Sequence, residues 1–209
     1  MPSIYDLKPR FQRLLRPLML ALAGLGIRPN AVTVAALLGS CLVGYGLLYA
    51  TTVPALLLLL PVWLLVRMAL NAIDGMMARE LCMATPLGAV LNELGDVLAD
   101  IGLYLPFAFL APPAQWPVLA FVLGAVLTEL CGVLGQALAG KRHYEGPMGK
   151  SDRACLVSLL AVLAFCLPAT LSFWPWSFGG AALLTVVTCW KRLASMLREL
   201  QVPPTASAR

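Results

Sequence analysis

The sequence predicts an all-α membrane protein: six transmembrane helices preceded by an interfacial amphipathic helix, with both termini cytoplasmic. Three observations carry that expectation. The 209 residues are 60% hydrophobic and only 12% charged, with a mean hydropathy of +0.85, far from the mix of a soluble globular domain. Apolar runs near residues 31–50, 54–77, 86–110, 116–140, 153–171 and 176–197 are each long enough to cross about 30 Å of hydrocarbon as a helix. Positive charge falls on alternate connections, while the connections around 51–53, 111–115 and 172–175 hold no charge at all. A single domain over 1–200 with a short disordered tail over 201–209 accounts for the whole length.

The elements follow in order. Over about 3–25, Ile4, Leu7, Phe11, Leu14, Leu15 and Leu18 fall on one helical face and Arg10, Arg13 and Arg16 on the other, the pattern of a helix lying in the membrane interface. The charges run on to Arg16 and no small-residue cleavage site follows, which argues against a signal peptide. Lys8, Arg10, Arg13, Arg16 and Arg28 lead the first span; Arg79 joins spans two and three; Lys141, Arg142, Lys150 and Arg153 join four and five; Lys191, Arg192, Arg198 and Arg209 close the chain. The positive-inside rule puts these ends in the cytoplasm, and a bacterial inner (plasma) membrane is the expected location. Of the fifteen Lys and Arg only Arg67 lies deep within a span.

A net charge of +5 gathered on one face favours anionic lipid and phosphate-bearing ligands, and nothing calls for nucleic acid. The six cysteines (41, 82, 131, 155, 166, 189) form no CxxC pair and are expected to be small buried hydrophobes, with no disulfide or zinc site.

Polarity concentrates in residues 71–100, NAIDGMMARELCMATPLGAVLNELGDVLAD. Span two ends near Arg79 and span three starts at Thr85-Pro86, where a proline early in a helix gives up no needed N–H, so the two are antiparallel neighbours. At about 100° per residue, Gly88, Asn92, Glu93, Asp96 and Asp100 share less than half the circumference of span three. Asn71 and Asp74 share a face of span two. Carboxylates at such depth cost several kcal/mol each unless they face a protein-lined cavity, pair, or bind cations. Oxygen donors without His or thiolate suit Mg²⁺, Mn²⁺ or Ca²⁺ rather than zinc. Gly75, Ala78, Gly88, Ala89 and Gly95 leave room either for close helix packing or for a ligand's phosphates and base. Arg79 fits both a phosphate anchor and a topology signal.

The stretch resembles the signature of the CDP-alcohol phosphatidyltransferases, D-x2-D-G-x2-A-R-x8-G-x3-D-x3-D: Asp74-Gly75, Ala78-Arg79, Gly88 and Asp96 match, while Asn71 and Asn92 stand where the family has aspartates. The resemblance implies transfer of a phosphatidyl group from CDP-diacylglycerol, or a related CDP-linked lipid, to a small alcohol or phospho-alcohol acceptor with release of CMP. It implies a Mg²⁺ or Mn²⁺ site with Asn71, Asp74, Asn92 and Asp96 as ligand positions and Asp96 as the base that takes the acceptor's proton. It also implies nucleotide contacts from Gly75, Ala78, Arg79 and Gly88, a site facing the cytoplasm, and a homodimer. Each Asn removes one negative charge, so metal affinity falls unless Glu93, Asp100 or Glu129 compensates; Asp100 or Glu129 pairing with Arg67 is the structural alternative. GIRPNAVTVAALLGS looks like the family's entry to its first span, which puts Asn30 and Thr33 near the CDP group, with helix N-capping by Asn30 as the other reading. In GKRHYEGPMGKSDRA, Lys150 and Arg153 are placed to grip an acceptor or diphosphate phosphate, or else to serve as an ordinary positive-inside loop. Two rivals stand beside the transferase: an intramembrane cation transporter or channel, and a degenerate family member that binds nucleotide lipid without turnover.

Overall fold

The computed structural model describes residues 4–201, with side chains from Arg10 onward. The expected tail beyond Gln201, and the Ile4, Leu7 and Lys8 part of the N-terminal face, lie outside the described side chains. All regular structure among the described residues is helical. The chain divides into two compact units with the boundary between Leu103 and Tyr104.

In the first unit, α1 (Ile4–Gly24) turns at Gly26, which takes φ +78, a conformation that favours glycine. Arg10, Arg13 and Arg16 are exposed, as are Leu14 and Leu18, while Met19 is fully buried against Val32, Ile73, Met76 and Met77. This amphipathic helix is therefore moored to α3 (Leu59–Glu80) by one apolar edge, and by an Arg16–Glu80 ion pair of 3.0 Å at the end of α3. Helix α2 (Pro29–Leu47) starts with Pro29 at its first position after an extended Arg28, and no side chain caps it. Asn30 is thus already inside the first turn, which corrects the N-capping reading.

Small residues let these helices approach. The ring of Trp63 on α3 lies over Gly39 of α2, with its Nε1 donating to Ser40 Oγ at 2.9 Å, and Gly44 sits against the backbone of Gly102 on α4 (Pro86–Tyr104). Between lipid-facing helices such close contact, rather than hydrophobic exclusion of water, is what holds a pair together. Thr85 caps α4 by accepting from Gly88 N at 3.0 Å. The helix ends at Tyr104, ahead of Pro106, rather than near 110 as expected, and a short α5 (Phe107–Leu110) follows.

The second unit pairs α6 (Gln115–Ala139) with α8 (Trp174–Gln201), Gly124 fitting against Thr185. Tyr104, Phe107, Phe121, Trp174 and Phe178 form an aromatic cluster with ring centroids 5.1 to 5.8 Å apart. Gly140, at φ +71, ends α6. Helix α7 (Lys150–Cys166) opens with Asp152 accepting from Gly149 N at 2.9 Å and stops before Leu167-Pro168, short of the expected 171.

Four stretches among the described residues are long and apolar enough to cross a membrane: Pro29–Leu47, Pro54–Glu80, Pro112–Ala139 and Pro168–Gln201. The chain is an integral membrane protein. Of the two other expected spans, α4 carries Glu93, Asp96 and Asp100, and α7 is only 17 residues long. The cysteines differ from expectation: only Cys131 is buried, whereas Cys41, Cys82, Cys155 and Cys166 are exposed. A small apolar thiol is tolerated on a helix face turned to lipid as readily as in a packed one, so apolar context alone did not imply burial.

Candidate active site

A cleft of about 290 Å³ opens in the first unit where the start of α2, the last turns of α3 and the first turns of α4 converge. Asn30 comes from α2; Asn71, Asp74, Gly75, Ala78 and Arg79 from α3; Gly88, Ala89 and Asn92 from α4. The helical repeat explains the α3 set: positions 71, 74, 75, 78 and 79 recur on one face at three- and four-residue intervals. Pro29, Met83, Ala84 and Thr85 also line the cleft and were not named as site residues from sequence; the signals were the Pro29-Asn30 opening of α2 for the first and the Thr85-Pro86 helix start for the others.

Two glycines make room. A Cβ on Gly88 would stand 2.6 Å from Asn30 Oδ1 and 3.0 Å from Thr85 Oγ1, and one on Gly75 would stand 3.2 Å from both terminal nitrogens of Arg79. The Arg79 guanidinium therefore lies over Gly75 at the cleft, where it adds positive charge beside the carboxylate.

A line of polar contacts runs from the cleft into the unit. Thr33 Oγ1 donates to Asp74 Oδ2 at 2.7 Å. Asn71 Nδ2 donates to Asp96 Oδ1 at 2.9 Å. Arg67 donates to the same Asp96 oxygen at 3.1 Å, to the Asp96 carbonyl at 3.0 Å, and to Asp100 Oδ1 at 2.6 Å. Asp74, Asp100 and Arg67 are buried and Asp96 is partly exposed. A buried charge is tolerated when it is paired and hydrogen-bonded, as Arg67 is with Asp96 and Asp100, while Asp74 accepts from Thr33. Asp100 thus takes its structural alternative, as Arg67's partner. Glu93 is half-buried on α4 and does not line the cleft.

The remaining expected residues lie in the second unit. Glu129 accepts from Arg142 at 2.9 Å and from Arg153 at 2.7 Å. Arg153, fully buried, also donates to Thr128 Oγ1 at 2.8 Å, and Arg192 reaches the carbonyls of Thr128 and Glu145. The arginine partners of Glu129 come from the 140–149 loop and α7, not from its own helix. Arg153 is a strut of that cluster, and Lys150 stands half-buried at the start of α7. His143, taken as incidental, is buried, with Glu145 3.4 Å from Nδ1 and Glu199 3.3 Å from Nε2. The Glu145 carboxyl is held below the usual carboxylate range by its own backbone N–H and by His143.

Comparisons with known proteins bear on this arrangement. The profile of the CDP-alcohol phosphatidyltransferase family matches residues 27–195. The chain is 44% identical over 195 residues to the inner membrane protein YnbA of Escherichia coli strain K12, covering 93% of this chain and 96% of that protein. It is 25% identical over 174 residues to the archaetidylinositol phosphate synthase of Aeropyrum pernix, covering 83% and 84%. Its fold is similar to that of the Mycobacterium tuberculosis phosphatidylinositol phosphate synthase with CDP-DAG bound, at a TM-score of 0.74 and 21% identity over 94% of this chain and 98% of that one. The same synthase in complex with manganese and citrate aligns at a TM-score of 0.73 and 20% identity, over 93% and 92%.

Proposed function

Because the chain belongs to the CDP-alcohol phosphatidyltransferase family, and so to the membrane transferases of phospholipid biosynthesis, we propose that it moves a phosphatidyl group from CDP-diacylglycerol or a related CDP-linked lipid to an alcohol acceptor, releasing CMP. The observation that carries the reading is the cleft itself, where Asp74, Asn71 and Asn92 face the same space as Gly75, Gly88 and Arg79. Membership of the family sets aside the cation transporter.

The donor set fits a hard divalent cation. Among the described residues no three His, Cys, Asp or Glu gather as a metal site, but one carboxylate and two amide side chains share the cleft, and an amide oxygen is a competent ligand for Mg²⁺ or Mn²⁺. Asp74, Asn71 and Asn92 would hold such an ion, with the fourth ligand position, Asp96, hydrogen-bonded behind Asn71, and the ion when bound would polarise the diphosphate and stabilise charge on the departing CMP. The chain's own residues do the rest. Gly75, Ala78 and Gly88 let the nucleotide approach the helix backbones, Arg79 pairs with a phosphate, and Asn30 and Thr33 contact the CDP group or, for Thr33, fix the Asp74 carboxylate. Asp96 accepts the acceptor's hydroxyl proton; the oxygen bonds to the phosphatidyl phosphorus, and the P–O bond to CMP breaks with its electron pair. Lys150, at the start of α7, offers an ammonium to a phosphate. Asp100, Glu129 and Arg153 act through the ion pairs that hold them, and Glu93 has a supporting part beside Asn92.

We place this site on the cytoplasmic side of a bacterial inner membrane, in a homodimer whose chains each fold as one domain over 1–200 with six spans. The uncharged outer connections, the basic inner ones and the resemblance to an inner membrane protein support that topology. The test is CMP release from labelled CDP-diacylglycerol by purified protein with Mn²⁺ or Mg²⁺ and a panel of acceptors. Asp74→Asn and Asp96→Asn are expected to lower release by roughly 10²- to 10⁴-fold, and chelation to abolish it. Equal release from all three proteins would end the reading. The amide in place of a carboxylate at 71 favours one second reading, a lipid-nucleotide binder without turnover, which predicts retained CDP-lipid binding and no CMP from any acceptor.

A further inference from the structure

We infer that the buried Arg67 guanidinium is a resident cation at the acidic end of this site, so that the chain takes one divalent ion, at Asp74, Asn71 and Asn92, rather than two. The inference rests on the transferase reading above and concerns how its metal is counted.

Geometry at Asp96 is the starting point. Its Oδ1 accepts from Arg67 and from Asn71 together, and Arg67 is pinned by further bonds to the Asp96 carbonyl and to Asp100. At 4% exposure, Arg67 is part of the packed interior and not a mobile surface group. An ionised carboxylate only accepts hydrogen bonds, so Asn71 must turn its NH₂ toward Asp96, leaving its carbonyl oxygen as the atom able to serve a metal. Two carboxylates at positions 71 and 96 would instead need a cation between them to come this close. The amide hydrogen bond and the guanidinium together do there what a bridging ion does between two acids.

Charge points the same way. Arg67 offsets part of the negative charge of the two carboxylates it binds, Asp96 and Asp100, which leaves less charge to attract a second ion. Asp96 is absent from the residues lining the cleft, whereas Asp74, Asn71 and Asn92 are all present, so the oxygens open to an incoming ion are those three. Arg67 is accordingly a positioning residue: it acts on the reaction through Asp96 and touches no substrate.

The test is a count of bound Mn²⁺ by electron paramagnetic resonance on purified protein in detergent. The wild type is expected to hold one ion per chain. Asn71→Asp with Asn92→Asp, keeping Arg67, should still hold one, at least tenfold more tightly. Adding Arg67→Gln to that pair should raise the count to two; if that protein does not fold, Arg67→Met with Asp100→Asn on the same background removes both partners of the ion pair together. Two ions on the wild type, none, or a count that stays at one once Arg67 is gone overturns the inference. CMP release separates this from the wider reading: two bound ions with chelator-sensitive release sink only the count, and release that ignores the chelator sinks the metal reading itself.

Discussion

Asn71 and Asp74 lie one helical turn apart on α3 and differ by a single functional group, yet they face different neighbours: one donates to Asp96, the other accepts from Thr33. The spacing of the motif made both legible in the sequence, because residues three and four apart on a helix share a face and the glycines marked where a ligand needs space. Arg67's hold on Asp96 was not legible. It joins residues 29 apart, and the sequence offered only the general expectation that a buried arginine seeks an acid; Asp100 was one candidate it did name. Gly88 gives a test at this scale. Gly88→Ala places a methyl within 2.6 Å of Asn30 Oδ1 and 3.0 Å of Thr85 Oγ1, so the Asn30 side chain must turn from its place and the methyl fills part of the cleft. We expect the KM for the CDP-lipid to rise about tenfold, on the order of 1.4 kcal/mol of binding, with a smaller change in kcat. Steady-state CMP release at varied donor concentration reads it.

Among elements, the 140–149 loop shows most clearly what sequence patterns leave out. Its basic residues read as a positive-inside loop, yet the structure turns Arg142 onto Glu129, beside Arg153 of α7, sets His143 against the space left by Gly135, and holds the loop by a bond from Met148 N to Thr188. Nothing in the period of α6 announces partners that arrive from 13 and 24 residues away. Helix ends were legible only where proline or glycine marks them, as at Pro29, Pro86 and Gly140, and were overrun where an apolar run continues past a break, as at Pro106. Glu129→Ala should be among the most damaging substitutions in the second unit. It strands buried guanidinium groups, and breaking a buried pair costs roughly 3–5 kcal/mol. A lower melting temperature in detergent is the readout, and a melting curve like that of the wild type would show the pairs to be incidental.

At the scale of the whole molecule, composition was enough to establish a helical membrane protein, because backbone groups in lipid must be satisfied within each segment. The number of spans depends on α4 and α7, the two helices that carry acids or stop short. A topology experiment addresses them together. With Cys82 kept and the other five cysteines replaced, a membrane-impermeant maleimide should leave intact cells unlabelled and label inverted vesicles, since Cys82 is exposed in the turn after α3. Labelling of intact cells would invert the proposed orientation.

One feature of the first unit bears on how a lipid reaches the chemistry. Helix α1 carries its arginines outward and its apolar edge inward, and Arg16 grips Glu80, the neighbour of Arg79 at the cleft mouth. On the proposed topology a helix of that character would float at the headgroup level and hold the mouth in the same plane in which a phospholipid's own phosphates travel. A donor can then slide in sideways with its tails still in oil, avoiding the roughly 0.8 kcal/mol that each methylene drawn into water would cost.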